Sequence, residues 1–178
     1  MELGLVPERT LAKTDRVWYI PYFATGEKFR VVFDCAARFC GVSLNDLLLQ
    51  GPDLTNNLVG VLSRFRQEPV AFAADIKAMF HQIYVAEPDR EALRFLWWPG
   101  NDMTQPPEDY AMNVFLFEAT CSPSCEAFAL RKTSEDNLTG ASNHDVQTVF
   151  KNFYVDDLLK SCRSVEEASA LVSGLYPS

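Results

Sequence analysis

Apolar and polar residues alternate along "KFRVVFD", where Phe29, Val31 and Phe33 stand against Lys28, Arg30 and Val32, and this period of two predicts a short strand. "VWYIPYF" before it, "PVAFAAD" at 69–75, "ALRFLWW" and "MNVFLF" are apolar runs of strand length. The last two flank the polar, proline-rich "PGNDMTQPPEDY", which predicts a hairpin with a long connection. Helical spacing appears after "GPD", where Leu54, Leu58, Val61, Leu62 and Phe65 share a face and Asp53 stands where a cap is expected. "SPSCEAFALRK" opens with Ser-Pro, a common helix start, and "DVQTVFKN" is a second helix. Ser164 with Glu167 forms a capping-box pattern before Val165, Ala168, Leu171, Val172 and Leu175. Strands and helices interleave without steady alternation, so the expected class is α+β.

The stretch "NFYVDDLLKS" breaks this pattern. Asp156 and Asp157 sit side by side between two apolar arms. Neighbouring strand side chains point to opposite faces, so two adjacent carboxylates reach one site only from the tip of a hairpin. A tight turn across Val155 and Asp156 provides that tip. Two such carboxylates repel and require water or a cation. Asp75, the charged end of "VAFAAD", is the best third carboxylate, and the trio suits a hard divalent ion with oxygen ligands. Taken alone, Asp75 also reads as a helix cap, and an Asp-Asp pair as a solvated turn.

Composition narrows the classes. The chain has 178 residues, 48% hydrophobic, enough for a core, and its longest apolar runs fall far short of a membrane span. No basic start followed by an apolar block suggests export, so an intracellular location without a membrane partner is expected, cytoplasm and nucleus being indistinguishable. The five cysteines lack zinc-like spacing and read as reduced, mostly buried thiols. A net charge of -8 opposes nucleic-acid binding, although from Lys28 to Arg66 five basic residues face three acidic ones.

The ordered set "AFAADIKAMFHQI", "ATCSPSCEAFALRK" and "NFYVDDLLKS" resembles the successive palm motifs of a retroelement reverse transcriptase. "FRVVFDCAARFCGVSLNDLLLQGPDLTNNLVGVLSRFR" and "REALRFLWW" are similar to the Bel/Pao class of long-terminal-repeat retrotransposons, from about Val17 to about Ala170. The resemblance implies an N-terminal extension at 1–16 and a fingers-and-palm domain at 17–178. Fingers segments at about 17–68 and 84–110 would interleave with palm segments at about 69–83 and 111–178, an antiparallel palm sheet backed by helices. It further implies RNA-directed DNA synthesis from deoxynucleoside triphosphates on a primed RNA or DNA template. Asp75, Asp156 and Asp157 would bind two Mg²⁺ ions, with Mn²⁺ as a substitute. Arg30, Lys28, Phe80 and Ile76 would contact the nucleotide, the Phe80 ring leaving no room for a ribose 2′-hydroxyl. Tyr154, Ser122 and Pro123 would line the template and primer.

Two departures are plain. Glu118 stands where these elements carry glycine, placing bulk and negative charge near a triphosphate. The sequence ends at "GLYPS", before a thumb or RNase H domain, so weak or non-processive synthesis is expected. An inactive remnant with weak nucleic-acid binding, and an acidic α+β binding module whose aspartates are solvated turns, stand as the other two readings.

Overall fold

The computed structural model describes residues 5–7, 16–26, 30–136 and 143–175. Lys28 and Phe29 lie outside them, as does the Leu175 side chain. The chain divides into two units, Met1–Gln50 with Phe80–Ser122, and Gly51–Met79 with Pro123–Ser178. In chain order the elements are β1 (Leu5–Pro7), β2 (Tyr22–Thr25), β3 (Arg30–Phe33), β4 (Arg38–Phe39), β5 (Val42–Ser43), α1 (Leu44–Leu47), α2 (Leu58–Phe65), β6 (Val70–Asp75), β7 (Arg94–Trp97), β8 (Glu108–Met112), α3 (Ser122–Asp136), α4 (Asn143–Asn152), β9 (Phe153–Tyr154), β10 (Asp157–Cys162) and α5 (Val165–Leu175). All named strand pairings are antiparallel, so the mixed α+β class holds. No described helix is long and apolar enough to cross a membrane.

The first unit holds a sheet of order β1-β8-β7 and the hairpins β2-β3 and β4-β5. Its core gathers Ile20, Leu44, Phe95, Met112 and Leu116 around the fully buried Cys35, whose thiol burial pushes up to about 12, with Glu118 and Asp34 adding to the shift. Such a thiol is inert. None of the five cysteines forms a disulfide, but only Cys35 and Cys162 are buried, and Cys40 is exposed. The expected strand over "MNVFLF" is not found. Its place is taken by β8, which starts in the proline-rich connector and ends at Met112, because Glu108–Met112 pairs along both edges, with β7 and with β1. Beyond it the chain turns to bond the 83–85 segment instead, Val85 N–H to Asn113 O and Phe115 N–H to Ile83 O. "VWYIPYF" is likewise a strand only from Tyr22, with Tyr19 forming a lone bridge to Arg94.

The second unit is a sheet of order β6-β10-β9 with helices against it. Along β6 partly buried and exposed residues alternate without a break, as the period of two requires. Phe72, Ala74 and Leu158 face Val149 of α4 and Leu130 of α3, and Val70 with Cys162 meets Ala168 and Leu171 of α5. On α2 the cap is Asn57, whose Oδ1 accepts from Gly60 N–H at 3.1 Å. Asp53 instead closes a small turn by accepting from Thr55 N–H at 2.9 Å, which leaves Leu54 outside the helix. Ser164 Oγ does cap α5, accepting from Glu167 N–H at 3.2 Å, while the Glu167 carboxylate accepts from Arg163 N–H rather than closing the expected box.

Candidate metal and nucleotide site

Strands β6 and β10 run antiparallel in a register that places Asp75, the last residue of one, directly opposite Asp157, the first residue of the other. Directly opposed residues project to the same side of a sheet with Cβ atoms about 5 Å apart. The β9-β10 turn completes the group. Tyr154 pairs with Asp157, so Val155 and Asp156 alone make the turn, and Ile76 N–H donates to Asp156 O at 3.1 Å to tie the turn to the end of β6. Ligand atoms of Asp75, Asp156 and Asp157 all lie within 4.8 Å of one another. Oxygens sharing one octahedral Mg²⁺ at about 2.1 Å sit about 3–4 Å apart, so small side-chain rotations close this set on an ion. Asp75 and Asp157 are exposed and Asp156 half-buried, which leaves the opposite side open to water and substrate oxygens. Three carboxylates and an open face fit a hard divalent cation.

The turn is strained. Val155 has φ 55°, a left-handed conformation that a β-branched residue rarely takes, and it is the first central residue of a two-residue hairpin, where a positive φ favours glycine. The left-handed region costs a non-glycine residue about 1–2 kcal/mol. Replacement by glycine removes that strain while losing some side-chain contact and adding chain entropy. Val155→Gly is therefore expected to shift stability by less than about 1 kcal/mol, whereas Val70→Gly, at the start of β6 where the side chain packs against Ala168 and Leu171, should lower the denaturant midpoint clearly. A large loss at Val155 in urea titration contradicts the strain argument.

The other expected site residues are spread over both units. Ile76 is half-buried against the Val149, Phe153 and Leu158 cluster, and Tyr154 is half-buried on β9. Pro123 is exposed in the first turn of α3. Ser122 is buried, and its Oγ donates to Leu116 O at 2.6 Å, so its hydroxyl serves the fold. Arg30 is exposed at the start of β3. Phe80 is half-buried, with its ring edge-on to Phe117 at 5.2 Å and 84°. Arg30, Phe80 and Ser122 belong to the first unit, and the carboxylates to the second.

Three side chains within the two units escaped the sequence reading. Asn45 clamps the Leu116–Ala119 turn, donating to Glu118 O at 3.1 Å and accepting from Thr120 N–H at 2.8 Å. Phe117, 72% exposed, sits on that turn beside the exposed Glu118. Glu126 on α3 is 1% exposed, and its Oε1 has no hydrogen-bond partner. Burial, with a smaller push from Asp156, raises its carboxyl from 4.5 to about 7. The available signal was its place four residues before Leu130, on the inward side of the helix.

No family model and no curated protein matches this sequence. Solved structures do match. A foamy viral protease-reverse transcriptase in complex with double-stranded DNA superposes with a TM-score of 0.66 at 14% identity, covering 97% of this chain and 25% of its own. The foamy viral protease-reverse transcriptase in complex with an RNA/DNA hybrid gives 0.62 at 16% identity, covering 95% and 19%. The native prototype foamy virus protease-reverse transcriptase gives 0.64 at 14%, covering 97% and 19%. The chain thus spans 19% to 25% of these three solved proteins, and within that span it has a reverse-transcriptase-like fold.

Proposed function

We propose that this chain is the fingers-and-palm core of an RNA-directed DNA polymerase of Bel/Pao retrotransposon type, with Asp75, Asp156 and Asp157 as its metal ligands. The observation that carries the reading is the convergence of these three carboxylates at the open end of an antiparallel sheet in a reverse-transcriptase-like fold. Solved neighbours bound to DNA and to an RNA/DNA hybrid support a primed template as partner.

In the reaction the primer 3′-oxygen forms a bond to the α-phosphorus of a deoxynucleoside triphosphate, and the bond to the leaving pyrophosphate breaks. Bound Mg²⁺ would lower the pKa of the attacking hydroxyl and neutralise charge on the leaving group. Asp75 and Asp157 supply ligands from two strand ends and Asp156 from the turn, so the ladder between β6 and β10 sets the spacing. The Ile76 bond to Asp156 O holds that turn. Arg30 suits the triphosphate through its planar fork of donors, with Lys28 beside it in sequence. Phe80 is assigned to the deoxyribose, and Tyr154, Ser122 and Pro123 to the primer and template side.

Glu118 favours a second reading, a fold that binds nucleic acid without extending it, because its carboxylate is exposed on a clamped turn and would repel triphosphate. Primer extension on poly(rA) with Mg²⁺ separates the two. The polymerase reading predicts at least single-nucleotide incorporation, lost by more than about 10²-fold in Asp156→Ala and raised in Glu118→Gly. Equal incorporation by wild type and Asp156→Ala, or none from any folded variant, removes the polymerase reading.

A further inference from the structure

Glu126 raises a question the metal site does not answer. Its side chain lines a cavity of about 30 Å³ whose wall also holds Asn56, Arg131, Phe153 and Val155. Of the polar neighbours on that wall, Asn56 Nδ2 donates to Phe153 O at 2.8 Å, and the Arg131 guanidinium donates to Leu54 O at 2.6 Å while lying over the Phe150 ring. A buried carboxyl without a partner costs about 1–3 kcal/mol, and a leucine of similar size would avoid that cost. The acid therefore opposes stability where it stands. A cavity needs only about 10–15 Å³ to take a water, given polar partners, and this one has both the room and the unsatisfied Oε1. The same wall holds the least comfortable backbone of the hairpin, Val155 at φ 55°, followed directly by Asp156. Strained turns persist only where their surroundings over-determine them.

We propose that Glu126 is a positioning residue: its buried carboxyl, through a water in this cavity, anchors the Val155–Asp156 turn and so fixes the direction in which Asp156 presents its carboxylate to a divalent cation. The second half rests on reading the three aspartates as a metal site. The first half does not, and it can be measured alone.

The test compares the whole chain as wild type, Glu126→Gln and Glu126→Leu at pH 6. Amide hydrogen exchange reads the turn, the free Mn²⁺ electron-paramagnetic signal reads metal binding, and thermal melting reads the fold. Glu126→Leu should melt at or above the wild-type temperature, yet exchange at Val155–Asp157 about tenfold faster and bind Mn²⁺ about tenfold more weakly, the scale of losing an outer partner of a metal ligand. Glu126→Gln, which keeps a donor and an acceptor, should stay within about twofold of wild type on both. Unchanged exchange at the turn in Glu126→Leu overturns the proposal, as does exchange that rises equally across β6 and β10, which is what loss of simple packing would give. If the wild type binds no Mn²⁺, the metal reading falls while the exchange result still decides the role of Glu126.

Discussion

Asp75→Asn is expected to make the metal-free protein more stable and the metal-loaded protein less stable than wild type, a reversal of order that a purely structural aspartate cannot produce. Asp75 and Asp157 are directly opposed across β6 and β10, with Asp156 in the adjoining turn. Like charges directly opposed in an antiparallel pair are destabilising, by about 0.2–1 kcal/mol. Removing one charge while keeping a side chain of the same shape should therefore raise the melting temperature in EDTA by a degree or more. Added Mg²⁺ then acts on the two proteins differently. A ligand that binds only the folded state adds about 2.7 kcal/mol at a hundred times its Kd, so the wild type gains several degrees. The variant, with one of the three proposed ligands lost, gains little, and on the polymerase reading its incorporation of nucleotide should fall by more than about 10²-fold. Melting curves in EDTA and in 10–20 mM Mg²⁺ check both halves. An equal Mg²⁺ shift in the two proteins would show that the cluster is not the binding site.

The elements of this site were legible because their signals are local. The period of two in "VAFAAD" predicts a strand ending in a charge, and "FYVDDLL" has apolar arms around a polar pair, which only a tight turn accommodates. The Ser-Pro start of α3 and Ser164 before α5 are likewise readable from a few residues. Strand β8 was not legible. "EDYAM" carries two acids and follows a proline pair, and it becomes a strand because β7 and β1 bond it from both sides. The cap of α2 failed for a subtler reason: Asp53 and Asn57 are both good caps, and Asp53 is used locally by Thr55. Ser122 shows the limit of reading a motif by itself, since burial turns its hydroxyl inward to Leu116. The contact of Phe80 with Phe117 and the clamp by Asn45 join distant parts of the sequence, and no periodicity reports them. Val155 is a different case, because nothing in its side chain announces a left-handed backbone. There tertiary context overrides preference, at the turn that carries a proposed ligand.

Glu126 should make the stability of this protein fall as pH rises from mildly acid to neutral. Its carboxyl ionises near 4.5 when exposed in the unfolded chain and near 7 in the fold, because burial, and then Asp156, disfavour the charged form. The folded state consequently holds this proton more tightly than the unfolded state. Below about pH 4.5 both states are protonated and the group is neutral in its effect. Between 4.5 and 7 the unfolded chain loses the proton and the fold does not, so folding becomes progressively less favourable. Above 7 both have lost it and the penalty is complete. One pKa unit is worth about 1.4 kcal/mol, which puts the full penalty at about 3 kcal/mol. Glu126→Gln has no proton to lose, so its stability should exceed wild type by most of that amount at pH 8 and by little at pH 5. Urea denaturation at the two pH values measures the difference directly. A constant gap between the two proteins would mean that Glu126 stays charged in the fold with a partner, whereas a gap that opens between pH 5 and 7 requires the carboxyl to sit neutral beneath the turn that carries Asp156.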